Sequence, residues 1–342
     1  MITIARISLI AAGLVAMGST AGAVRQGWRW PALPTGVTAP AIPADNDMSA
    51  IKVALGRRLF YDPVLSRDGT LSCAGCHRQE RGFTDGLSTH VGVSGEMGIR
   101  NVPGLANVGW RPALTWTEAN ITTLEAQASV PMTGTRPVEM GMAGQEQALA
   151  ARLNADPCYR RLFAAAFPGG DRVASFAKIT AALGAFQRTM ISFDSPFDRY
   201  LAGHKGGIPA AAVTGFGQFK SAGCASCHSG PDFTDAKLHY VGTAAPSEGD
   251  GAAYGGKPLP PGFVPPPDSF RTPSLRNVAV TGPWLHDGRA DSIEAAIRRH
   301  AAPALAGTDM PALLAFLDSL TDRTFLTAAH LSKPSAACPV RS

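Results

Sequence analysis

The chain has 342 residues with 45% hydrophobic and 17% charged content, which excludes a disordered or fibrous protein and leaves room for about two ordinary domains. Its net charge of +5 comes from 24 Arg and 7 Lys against 26 acidic residues, dispersed along the chain. Without a basic run, nucleic acid is a poor expectation for the partner, and a modest preference for acidic protein surfaces is the better one.

Residues 1–23 read as a secretory signal peptide: Arg6 is the basic start, "ISLIAAGLVAMG" a short apolar stretch, and "AGA" the small-residue cleavage site. No later stretch approaches the roughly 18 uncharged apolar residues of a membrane span, so the expected destination is the periplasm, with no span after cleavage. A Pro-rich lead-in, "WPALPTGVTAPAIPADND", precedes a first helix within "SAIKVALGRRLFYD". Further helices are expected over 145–155, 175–192, 214–221, 292–300 and 310–320. No alternating strand run is evident. The loops are long and rich in Gly and Pro, "GGKPLPPGFVPPPDSF" above all. Few helices and long loops make a weak fold unless something large fills its centre.

Six cysteines sit at 73, 76, 158, 224, 227 and 338. Four of them form two C-x-x-C-H motifs, ending on His77 and His228, and this is the attachment signal for a c-type haem. A redox dithiol or half a zinc site would explain one copy. Two copies in an exported chain, inside matching flanks, favour two covalent haems with His77 and His228 as iron ligands. Cys158 and Cys338 can pair in an oxidising compartment, and the sequence leaves open whether they meet.

The flanks repeat as well. "CAGCHRQERGFTD" from Cys73 matches "CASCHSGPDFTD" from Cys224, and "PGLANVGWRPALTW" matches "PSLRNVAVTGPWLH" at an offset of 170. "TLEAQ" then matches "SIEAA" at an offset of 169. The chain therefore reads as an internal duplication, with an N-terminal unit over 45–195, a C-terminal unit over 196–335 and a boundary near "SFDSPFDRYLAGH". The offset of 169 pairs Pro131 with His300. His300 follows Ile293 and Ile297 on one helical face, so it points inward, either as a satisfied core histidine or as a ligand. If the two units are equivalent, His300 closes the second haem while Pro131 leaves the first open. An open haem does peroxide chemistry, and a closed one passes electrons.

"LGRRLFYDPVLSRDGTLSCAGCHRQERGFTDG", "RNVPGLANV", "RPVEMG", "FDSPFDRYLAG", "CASCHSG" and "FRTPSLRNVAVTGPWLHDGR" together resemble the bacterial di-haem cytochrome c peroxidase/MauG family over nearly the whole mature chain. The resemblance implies an all-α protein of two cytochrome c-like domains, with one haem c in each and a calcium ion between them. It implies that Trp116 lies between the haems, that Gln127 and Glu139 stand over the open one, and that Glu139 moves the peroxide proton. It also implies calcium ligands at Asn101 and at the backbone carbonyls of Thr281 and Pro283. Two departures bear on function. Peroxidases of the family carry a distal histidine sixteen residues past the first motif, where this chain has Val93; His90 reads as an out-of-register loop residue. The second haem's outer ligand is Met in the peroxidases and Tyr in MauG, and His300 stands there here. An imidazole lowers the haem potential relative to a thioether. Both departures favour the MauG-like branch, including its methanobactin-associated, tryptophan-oxidising members: peroxide-driven oxidation of residues on a periplasmic partner protein. Peroxide removal fed by a small cytochrome or cupredoxin is the alternative, and a plain electron carrier the third reading.

Overall fold

The computed structural model describes residues 28–240, 269–299 and 305–338. The signal peptide, most of the Gly/Pro-rich loop and His300 lie outside the described residues. Among the described residues the protein is helical, apart from one two-stranded sheet, and no helix is long and apolar enough to cross a membrane.

Helix α1 (Ala50–Phe60) starts where the Ser49 hydroxyl accepts the Lys52 N–H. Leu55, Leu59 and Phe60 form its buried face. The attachment helix α2 (Cys73–Cys76), α3 (Leu124–Thr133), α4 (Glu146–Ala155), α5 (Pro157–Ala166) and α6 (Phe176–Gln187) follow. Helices α1 and α6 cross at Gly56, where a Cβ would fall 1.8 Å from the Ala182 carbonyl oxygen. Only glycine permits that approach, which lets Phe60 pack edge-on to Phe186 with ring centroids 5.3 Å apart.

The second half repeats the device. After α7 (Pro196–Leu201), α8 (Ala210–Ser221) crosses α10 (Met310–Asp318) at Gly215, whose Cβ would sit 1.9 Å from the Ala312 carbonyl oxygen. Four residues on, Phe219 meets Phe316 at 5.1 Å, as Phe60 stands four residues beyond Gly56. Helix α9 (Ile293–Arg299) begins 169 positions after α3 does. Asn107 and Asn277, 170 apart, both adopt the left-handed conformation and open a short 3-10 turn. Their side chains meet at the junction of the halves. Asn107 bonds the Ser192 backbone in both directions, while Asn277 accepts the Asp322 N–H and donates to the Ser192 hydroxyl.

Two buried apolar clusters result, one around α1 and α6 and one around α8 and α10. The chain then returns: in α11 (Arg323–Thr327), Phe325 joins the first cluster, as does Leu331. Cys158 and Cys338 form a disulfide that ties this tail to α5 across 180 positions. Strands β1 (Leu238–Tyr240) and β2 (Ser269–Arg271) pair antiparallel, Leu238 opposite Arg271. The Arg271 N–H donates to the Trp116 carbonyl, fastening this sheet to the first half.

Candidate haem-attachment sites and the cavity between them

Each C-x-x-C-H motif folds as one tight turn, with the histidine N–H returned to the first cysteine's carbonyl: His77 to Cys73 at 2.8 Å and His228 to Cys224 at 3.0 Å. The four cysteines carry no disulfide. His77 Nδ1 lies 2.8 Å from the Phe83 carbonyl and His228 Nδ1 lies 3.2 Å from the Phe233 carbonyl. A carbonyl only accepts, so Nδ1 must hold the proton in both rings, which makes Nε2 the nitrogen with a lone pair. Phe83 and Phe233 both sit at positive φ, a strained state for a bulky residue. That strain turns each carbonyl onto its imidazole. Burial lowers the pKa of His77 and keeps the ring neutral, the form that binds a metal. Burial also raises the Cys73 thiol to about 12. Thiols, donors and lone pairs thus fit the covalent attachment of a haem at both turns.

Beside Cys224, Cys227 and His228 lies a cavity of about 340 Å³, within the usual range for cofactor pockets. The structure brings Trp116, Asn101, Thr281 and Pro283 to its wall, together with Ile293 and Ile297 of α9. Trp116 is buried and donates its indole N–H to the Asn101 carbonyl at 2.8 Å. The Asn101 amide nitrogen is held by the Leu87 carbonyl at 2.9 Å, which orients the side-chain oxygen away from that loop.

Around the first turn, Glu139 comes from the "RPVEMG" segment, which doubles back along the end of α3: Met140 N–H donates to Pro131 and Met142 N–H to Met132. Pro131, in the last turn of α3, thereby keeps a carbonyl that works as an acceptor although its own nitrogen cannot donate. The Val93 N–H donates to the Glu139 carbonyl at 2.8 Å, so Val93 occupies the strand of loop directly beside Glu139. Burial raises the Glu139 carboxyl above the ordinary range, and the neighbouring His90 opposes it. Its charge reaches the Cys76 thiol, which burial and Glu139 both raise. Gln127 is half-buried on α3.

Three features were not anticipated from the sequence. His90 is not a loose loop residue: its Nδ1 lies 3.1 Å from the buried Asp85 carboxylate, and its Nε2 is buried without a hydrogen-bond partner. His239 makes the equivalent pair with Asp235 at 2.7 Å, and both aspartates close an "FTD" triplet after the attachment motif. Buried Arg111 and Arg271 line the cavity, within the motifs "GWRPAL" and "FRTPSL".

With this geometry in place, comparison with known proteins is direct. Residues 50–206 match the family model of the di-haem cytochrome c peroxidases and MauG. The methylamine utilization protein MauG of Methylorubrum extorquens is 41% identical over 256 residues, covering 75% of this chain and 70% of that one. The cytochrome c551 peroxidase of Nitrosomonas europaea is 32% identical over 257 residues, covering 75% and 73%. A crystal structure of a MauG-like protein associated with microbial copper homeostasis superposes with a TM-score of 0.79 at 36% identity, over 90% of this chain and 99% of that one. The chain belongs to the di-haem cytochrome c peroxidase/MauG family. It is therefore an oxidoreductase of a family that works with two c-type haems.

Proposed function

We propose that this protein is an exported, MauG-like di-haem enzyme that uses hydrogen peroxide to oxidise side chains of a periplasmic partner protein. In this reading the chain is a duplication of one cytochrome c-like unit, and the paired glycine crossings, left-handed asparagines and histidine–carbonyl bonds support it. Haem c is carried on Cys73 and Cys76 with His77 as ligand, and on Cys224 and Cys227 with His228. The haems supply the iron chemistry with peroxide. Ile293 and Ile297 of α9 line the second cavity, and His300, which continues their spacing in the sequence, would be the second haem's outer ligand. Glu139 takes a proton from one peroxide oxygen and returns it to the other, with Gln127 beside it. Trp116 conducts between the two sites. Asn101, Thr281 and Pro283 would hold a calcium ion, since their oxygen donors suit a hard cation.

The observation that carries the MauG-like choice is Val93. It lies against Glu139 where the peroxidases of the family place a ligand histidine, so peroxide can enter without prior reduction. Adding peroxide to the fully oxidised protein tests this: a long-lived near-infrared band is expected at once. A second reading, peroxide removal fed by a small cytochrome or cupredoxin, is favoured by the similarity to cytochrome c peroxidases. Fast steady-state turnover with such a reduced donor, and no band before reduction, would select it instead.

A further inference from the structure

Arg271 is only 1% exposed and Arg111 9% exposed, and both line the cavity beside His228. A guanidinium stays charged at any ordinary pH, and burying one is strongly unfavourable unless an anion faces it. Among the described residues neither arginine forms an ion pair. Arg271 donates Nε to the Thr115 carbonyl at 2.9 Å and Nη1 to the Thr272 carbonyl at 3.3 Å. Arg111 donates to the carbonyls of Gly104 and Ala106, and its Nε is buried with no partner at all.

The nearby carboxylates are committed elsewhere. Asp198 is gripped by Arg276 through both oxygens. Asp232 receives Asn107 and Ser274; burial raises its pKa and the charge of Arg111 opposes that, so Asp232 offsets part of the charge of Arg111 and Arg271 without bonding either. The two guanidiniums also oppose each other: burial, then Arg111, lowers the Arg271 pKa to about 9. Two buried cations line one cavity, one of them with an unpartnered Nε, and a single carboxylate acts on both without bonding either, so the cavity suits an anionic ligand.

We propose that Arg111 and Arg271 form the receptor for the propionate carboxylates of the haem attached at Cys224 and Cys227. This rests on the reading above that a haem c occupies this cavity. Carboxylates are the natural partners of a guanidinium fork, and they would take the buried Arg111 Nε that the protein leaves unpaired. The assignment has a second consequence. Arg271 stands over the Trp116 ring, 5.7 Å from its centroid, and donates its backbone N–H to the Trp116 carbonyl. A cation on the ring face makes the indole harder to oxidise. The same side chain thus balances the haem's carboxylates and keeps Trp116 a relay rather than a resting place for the oxidising equivalent.

The test compares the haem-loaded wild type with Arg111→Leu and Arg271→Leu by spectroelectrochemistry of the low-spin haem from pH 5 to 9. Intact mass is taken first. A wild type lacking the second haem addition defeats the underlying reading, whereas two additions leave the arginine assignment to be judged alone. Losing a cation favours ferric iron, so each variant's ferric-to-ferrous ratio at a fixed applied potential should rise about tenfold. The difference from wild type should grow with pH, because at low pH the unsupported propionate protonates and compensates. His239 and His286 also line the cavity and are present in all three proteins. Arg271→Lys should retain most of the wild-type ratio. A two-haem leucine variant with an unchanged ratio across the range overturns the assignment. Should both leucine variants fail to attach the second haem, resonance Raman of the wild type decides. Its propionate bending bands must shift on deuterium exchange of the N–H donors, and unshifted bands overturn the assignment equally.

Discussion

Glu139 illustrates how one residue acquires a role from its surroundings. Its loop is pinned by Val93 on one side and by the carbonyls of Pro131 and Met132 on the other, so the carboxyl is positioned before any substrate arrives. Replacing it by Gln should slow the reaction with peroxide by about 10²- to 10⁴-fold while leaving both haem spectra nearly intact. The pH dependence follows from the raised pKa. The carboxylate is the form that accepts a proton, so the rate should fall as pH drops, at a midpoint above the ordinary glutamate range. His90 opposes that rise, so His90→Asn should move the midpoint to higher pH. The same variant tests whether His90 Nε2 reaches the iron: the high-spin signal of the first haem should be unchanged, and its alteration in stopped-flow and electron paramagnetic resonance spectra would make His90 a ligand.

At the scale of elements, the crossings at Gly56 and Gly215 are the two points where a single methyl group has nowhere to go. Gly→Ala normally favours a helix by about 1 kcal/mol. Here each substitution should instead destabilise, by about 1–3 kcal/mol, because the facing carbonyl belongs to a packed helix; chemical denaturation of the holoprotein measures it. Helix α9 carries a sharper prediction. His300→Ala should convert the low-spin ferric signal to high-spin and leave peroxide binding at the first haem in place. An unchanged low-spin signal would make His300 a core histidine. How much of this was legible beforehand depended on distance along the chain. The attachment turns and the helices around Gly56 and Gly215 are local patterns, and they were readable. Helix α3 was not: its run is barely amphipathic, and Pro131 in its last turn looks like a breaker although its carbonyl still serves. The roles of Arg111 and Arg271 were illegible because arginine is ordinarily a surface residue, and only the fold shows that these two face a cavity.

On the scale of the whole molecule, the question is what holds two apolar clusters in one fixed relation, which the proposed conduction through Trp116 would need. Part of the answer is the polar junction in which Asn107, Ser192, Asn277 and Asp322 bond one another without exposure to water. The rest is the tail. Having completed the second cluster at α10, the chain crosses back, seats Phe325 and Leu331 in the first, and is bolted to α5 by Cys158–Cys338. A link across 180 positions restricts the unfolded chain far more than a local one, and a disulfide of this kind contributes about 2–5 kcal/mol. It also persists in an oxidising compartment, which the proposed export would provide. The pair was left open by the sequence because only the folded path brings the two cysteines to 5.7 Å between Cα atoms. Its sulfurs are separate from the attachment cysteines, so Cys158→Ser with Cys338→Ser should keep both haem additions in the intact mass. The double variant should nevertheless unfold at lower denaturant. Because the tail seals the first cluster, the spectrum of the first haem should change before that of the second during unfolding. Simultaneous loss of both spectra would show that the junction alone couples the halves and that the tail merely rests on it.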